Sequence, residues 1–192
     1  MNMSQLVASR LEEVATTLSR IASGDYGGEV ERATTLIVTA FQSGKKLLVF
    51  GNGGSSTDAQ HICGEMVGRF LKERRALPAI ALCSNHAVLT AWANDHSYDE
   101  VFSREIEAHG IPGDVAWGIS TSGNSRNVVA AVRTAKKRGL YTIGMTGKGG
   151  GAMADWVDVL LAVPLVETPR IQEIHMITYH SICAAVEQQL FP

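Results

Sequence analysis

Hydrophobic positions fall into two regimes along the chain. Up to Ser43 they recur at helical spacing: Leu6, Leu11, Val14, Leu18 and Ile21, then Val30, Ala33, Leu36, Ile37, Ala40 and Phe41. Residues three and four apart share one helix face, so this predicts two helices, separated at the Gly24-to-Gly28 stretch. After Ser43-Gly44 the apolar residues bunch into short runs, each predicting a strand: Lys46–Phe50, Ala79–Leu82, Val115–Ile119, Thr142–Met145 and Val157–Ala162. Helical patterns lie between them, near 55–71, 86–94, 98–109 and 126–139, and a last one spans roughly 170–190. Strands apolar on both faces, alternating with helices, imply a parallel sheet covered on both sides. The expected fold is α/β: one domain over 1–192, a three-layer α/β/α sandwich around a five-stranded parallel sheet. Residues 1–43 add N-terminal helices whose apolar faces exceed a covering role, which predicts burial between subunits.

Two of the strands run into polar, glycine-rich stretches, and each stretch gives way to a helix. The first is Gly51-Asn52-Gly53-Gly54-Ser55-Ser56; the second is Ser120-Thr121-Ser122-Gly123-Asn124-Ser125. Glycine allows tight turns and close approach to a ligand. Free N–H groups at a helix start attract anions, and hydroxyls add hydrogen bonds to phosphate oxygens. Neither stretch fits the G-x-G-x-x-G or G-x-x-x-x-G-K-[ST] pattern, which disfavours ordinary dinucleotide or ATP binding. In an open parallel sheet ligands bind at the carboxyl ends of the strands, where both stretches fall. A third loop, Gly147-Lys148-Gly149-Gly150-Gly151, lacks hydroxyls and reads as a turn.

Composition narrows the partners. The 192 residues are 45% apolar and 19% charged, with a net charge of −2, which gives no reason to expect nucleic acid. Lys136-Lys137-Arg138 reads as a solvated helix end. No apolar run approaches the roughly 20 residues that span a bilayer, and no export pattern opens the sequence, so no membrane partner is expected. Cys63, Cys83 and Cys183 are odd in number and widely spaced, which predicts buried free thiols in a reducing, cytoplasmic setting.

Candidate chemistry lies on two helices. His61 and Glu65, four apart, share a face of the helix after the first glycine loop. Such a pair alone is more often a surface contact, but here it follows a phosphate-type loop. The last helix carries Gln172, Glu173, His175 and His180. Spacing favours Glu173 as the partner of His180, because seven residues nearly complete two turns. Imidazole, carboxylate and amide oxygen together could hold Zn²⁺ or another divalent metal. Arg69 is read as ending the first of these helices, as a phosphate contact or a solvated side chain, and Asn94-Asp95 as a helix end or turn.

The segments Gly51-Asn52-Gly53-Gly54-Ser55, Ile119 to Ser125 and Arg170-Ile171-Gln172-Glu173 resemble the sugar isomerase (SIS) family. Together with His61, Glu65, Gln172 and His180 they resemble, more narrowly, the phosphoheptose isomerases, and the likeness runs through almost the whole chain. The resemblance implies a homotetramer with active sites at subunit interfaces. It implies one Zn²⁺ per subunit on His61, Glu65, Gln172 and His180, choosing Gln172 over Glu173. Glu65 and His180 would be the acid/base pair. Asn52, Gly53, Gly54, Ser55, Glu65, Arg69, Asn94, Asp95, Ser120, Thr121, Ser122, Ser125 and Gln172 would surround a sugar phosphate. The implied reaction is aldose–ketose isomerisation of sedoheptulose 7-phosphate, the first step toward activated heptose for lipopolysaccharide or another glycan. Many relatives have Asp-x-Ser where this chain has Asn85-His86-Ala87. A non-catalytic relative that associates with a replication initiator typically lacks the Glu65 and His180 equivalents, and an isomerase for a shorter sugar phosphate is a third reading.

Overall fold

The computed structural model describes residues 2–82 and 84–192; Cys83 lies outside them. Helices α1 (Met3–Ala22) and α2 (Tyr26–Gln42) come first. The alternating part then runs β1 (Leu47–Gly51), α3 (Gly54–Val67), β2 (Ala79–Ala81), α4 (His86–Asp95), α5 (Val101–His109), β3 (Val115–Ser120), α6 (Arg126–Lys137), β4 (Tyr141–Thr146), β5 (Val159–Ala162) and α7 (Thr168–Leu190). Short 3₁₀ turns precede α5 at Tyr98–Glu100 and β5 at Gly151–Trp156. The break between the first two helices is shorter than expected: α2 takes in Gly27 and Gly28, and only residues 23–25 separate it from α1.

All strand pairings are parallel, in the order β2-β1-β3-β4-β5. Every residue of β1 and β3 is buried, as a central strand covered on both faces requires. Helices α2, α3 and α7 pack together on one face, and α5 and α6 on the other, which gives the expected three layers. Leu47, Leu48, Phe50, Trp117, Ile143, Phe102 and Tyr179 anchor the core. At the amino ends of the strands, buried Asp114 accepts from the Lys46 backbone N–H (3.0 Å), Lys46 Nζ (2.7 Å) and the Ile111 N–H (2.9 Å), locking β1 beside β3.

The strand order reverses between β1 and β3. Their connections leave toward opposite faces, so a crevice opens at their carboxyl ends. That is where the two hydroxyl-rich turns emerge.

Candidate active site

The first turn places Gly53 at the N-cap of α3 with φ +56°, a conformation that suits glycine, and no side chain caps the helix. Its leading amides close the turn instead: the Ser55 N–H donates to the Asn52 carbonyl (3.0 Å), and the Ser56 and Thr57 N–H groups donate to the Gly53 carbonyl (3.0 and 3.3 Å). Ser55, expected to line the crevice, turns inward: it is 3% exposed, with its Cβ packed under Gly51. In the second turn Ser125 precedes α6, but its hydroxyl does not cap the helix. It lies 3.0 Å from Ser120 Oγ, which is 3.5 Å from Ser122 Oγ, so three hydroxyls cluster at the helix start. Thr121 anchors the loop through its carbonyl, which accepts from the Gly147 N–H at 2.9 Å. The third glycine loop is thus a prop for the second.

Two residues that sequence reasoning missed tie the turns together. Asn52 Nδ2 donates to Asn127 Oδ1 (2.8 Å), Asn127 Nδ2 donates back to Asn52 Oδ1 (3.0 Å), and Tyr98 Oη donates to the same Asn52 oxygen (2.8 Å). Most of the Asn52 amide is thereby committed to holding the crevice. Asn127 stands one residue inside α6, where no sequence signal separates it from any polar helix residue.

A second cluster forms where α3 meets α7. His61, Glu65 and His180 each offer a ligand atom, and these atoms all lie within 4.8 Å of one another. His61 Nε2 is 3.0 Å from Glu65 Oε1, and the His61 and His180 rings meet edge-on at 5.0 Å. Two imidazoles and a carboxylate are a suitable donor set for a divalent transition metal. The other His61 nitrogen is also provided for. Tyr179 Oη lies 3.0 Å from His61 Nδ1 and donates to buried Asp58 Oδ1 at 3.5 Å. With the phenol proton directed to Asp58, the phenol oxygen accepts from Nδ1–H and leaves Nε2 free as a ligand, the usual way a metal-binding histidine is oriented. Burial raises the pKa of both the Asp58 carboxyl and the Tyr179 phenol. Neither partner was apparent from sequence, because Tyr179 reads there as one more core aromatic.

His180 stacks on Phe70 (5.4 Å, 29°). Burial lowers its pKa, and His61 pushes the same way against an upward pull from Glu65. Its ring is therefore held toward the neutral form, able to donate from one nitrogen and accept at the other.

Other expected residues lie elsewhere. Gln172 does not join the three ligands within the chain. Its amide lies against Gly54, close enough to collide with any Cβ there, about 12 Å along α7 from His180. Glu173, favoured by spacing as the partner of His180, pairs instead with Arg170 one turn earlier. His175 is buried, with Nε2 3.1 Å from the Thr146 carbonyl, and takes no part. α3 ends at Val67, so Arg69 lies beyond the helix and faces Glu73 at 2.9 Å. Asn94 and Asp95 close α4, exposed and bonded to each other at 2.8 Å. Asn85, in place of the expected Asp-x-Ser element, caps α4 by accepting from the Val88 N–H at 3.2 Å.

Comparison with known proteins agrees with this geometry. Residues 11–147 match the SIS domain family. The phosphoheptose isomerase of Synechocystis sp. is 50% identical over 189 residues, covering 98% of this chain and 95% of that one. The structure of phosphoheptose isomerase GmhA from Neisseria gonorrhoeae superposes with a TM-score of 0.92 at 37% identity, over 97% of this chain and all of the other. A phosphoheptose isomerase from Francisella tularensis gives 0.93 at 31% identity, over 98% and 100%. By sequence and by fold, the chain belongs to the SIS domain family and, within it, to the phosphoheptose isomerases.

Proposed function

We propose that this chain interconverts sedoheptulose 7-phosphate and D-glycero-D-manno-heptose 7-phosphate through a cis-enediol. The observation that carries the reading is the meeting of Glu65 and His180, from helices far apart in sequence, in a chain half identical to a phosphoheptose isomerase. Moving a carbonyl between C1 and C2 requires one proton to shift between carbons and another between oxygens. Glu65 is the base at carbon, and His180, held toward neutrality, serves the oxygens. Their joint presence favours catalysis over a purely binding role.

The clustered serine hydroxyls and the start of α6, which Ser125 leaves uncapped, grip the phosphate, and this remote binding orients the reacting end. His61, Glu65 and His180 would hold a divalent ion, Zn²⁺ by donor type, with Gln172 approaching only if the substrate or a neighbouring protomer brings it closer. Bound there, the ion supplies Lewis-acid polarisation of a sugar oxygen or a fixed point for positioning the sugar. The first turn opens α3 and the histidine cluster lies along its second half, a separation that supports a homotetramer whose active sites are completed across subunit interfaces. The buried free thiol of Cys183 supports a cytoplasmic setting, and the product would enter activated heptose synthesis.

Incubating the purified protein with sedoheptulose 7-phosphate and following the aldose, with and without a chelator, tests the reaction and its metal dependence. Six- and five-carbon sugar phosphates run alongside test chain length. Glu65→Gln should lower turnover by about 10²–10⁴-fold with an unchanged circular dichroism spectrum. Normal turnover in that variant would falsify the assignment.

A further inference from the structure

Helix α3 ends at Val67, and the last carbonyls of a helix have no partner within it. Here one side chain reaches two of them, while backbone N–H groups of Gly68 and Leu77 serve the Gly64 and Met66 carbonyls. Arg74, on the segment leading to β2, donates from Nη2 to the Glu65 carbonyl (2.7 Å) and from Nη1 to the carbonyls of Met66 (2.9 Å) and Gly68 (3.3 Å). Its Nε donates to Glu187 Oε1 at 2.7 Å, and the two side chains are 1% and 2% exposed. Glu187 also accepts the backbone N–H groups of Phe70 (2.8 Å), Leu71 (2.7 Å) and Lys72 (3.0 Å). Burial alone would push the Glu187 carboxyl upward, but these N–H groups and the guanidinium outweigh it and hold it below its ordinary pKa.

A buried ion pair is weak evidence of stability, because desolvation of the two charges offsets their attraction. Its position is more telling. Glu187 stands two helical turns beyond His180 on the same side of α7, and the segment it grips carries Phe70, whose ring stacks on His180. Its partner Arg74 grips the backbone of Glu65 itself. One clamp thus controls the root of the candidate base and the cover over the candidate acid.

We propose that Arg74 and Glu187 are positioning residues for this pair, setting the reach of Glu65 toward His180 and holding Phe70 over the imidazole. The inference rests on the functional reading above for its kinetic readout, and on geometry alone for the other two. The variants Glu187→Gln and Arg74→Lys are made in the full chain. Histidine-labelled, metal-free protein reports the ring-current shift that Phe70 imposes on His180; Co²⁺ titration reports the three-ligand cluster; kcat and KM report the reaction. The expected result is loss of the His180 shift, with Co²⁺ affinity and kcat each falling about 10–100-fold and KM little changed. Lower melting temperatures with the His180 shift, Co²⁺ affinity and kcat all as in the unsubstituted protein would overturn it. Should both variants fail to fold, Phe70→Leu leaves the clamp's backbone hydrogen bonds in place. It should still lower kcat and alter the Co²⁺ absorption band, and an unaltered band and rate would overturn the proposal. If the unsubstituted chain does not isomerise heptose phosphate, the functional reading falls, while the imidazole shift and the Co²⁺ titration still decide the clamp.

Discussion

Glu105 on α5 is 4% exposed, and its Oε1 is buried without a hydrogen-bond partner. Burial lifts its pKa from 4.5 to about 7. Between those values the folded state holds more protons than the unfolded one, so this group's contribution is full below pH 4.5 and is lost as pH rises through 7. Glu105→Gln keeps the shape without the charge. It should raise the melting temperature at pH 8, by the equivalent of about 1–3 kcal/mol, and leave it unchanged near pH 4. Equal melting at pH 8 would sink the argument. His175 has the opposite sign. Burial lowers it from 6.5 to about 4, so its stabilising contribution is full above pH 6.5 and declines as pH falls through 4. The acid side of the stability profile should therefore reflect the imidazole and the alkaline side the carboxyl.

Among the elements, the serine turn between β3 and α6 depends most on a single atom's absence. Gly123 has φ +66°, and a Cβ there would strike the Gly150 carbonyl. The same loop receives Met153 N–H on the Gly123 carbonyl (3.0 Å) and Ala152 N–H on Asn124 Oδ1 (2.9 Å). Gly123→Ala should destabilise by about 1–3 kcal/mol and raise KM for a sugar phosphate more than it lowers kcat, because the grip is disturbed and the acid/base pair is not. An unchanged KM would count against the turn as the phosphate site. This dependence also shows what could be read from sequence. Apolar runs and glycine–serine turns are local signals, so all five strands and both turns were legible. β5 starts later than its apolar run because Asp158 is diverted to accept the Thr142 N–H at 2.8 Å. His61 and Glu65 were legible from their spacing within one helix. The partners that complete the site were not, since Asn127, Tyr98, Asp58 and Tyr179 gain their meaning only when separate elements meet. The choice of Glu173 for His180 failed for the same reason: helical spacing does not register that Arg170 claims the carboxylate first.

At the scale of the molecule, α1 buries only Thr17 and leaves Met3, Leu6, Val7 and Leu11 exposed at 81%, 42%, 53% and 67%. With α7 it lines an apolar groove of about 660 Å³. Apolar surface of this kind is expected to be covered by further copies of the chain. Light scattering should report a mass well above one protomer, and Leu11→Glu should reduce it while the helical signal persists; an unchanged mass would remove α1 from the interface. The reversal of strand order has a temporal consequence. Gly51 lies beside Ile119, far along the chain, and the crevice at the strand ends depends on that pairing. A nascent polypeptide released before β3 has no rudimentary pocket to be occupied early. Ligand held in that crevice would therefore protect molecules in which β1 and β3 have already paired, without hastening the pairing itself.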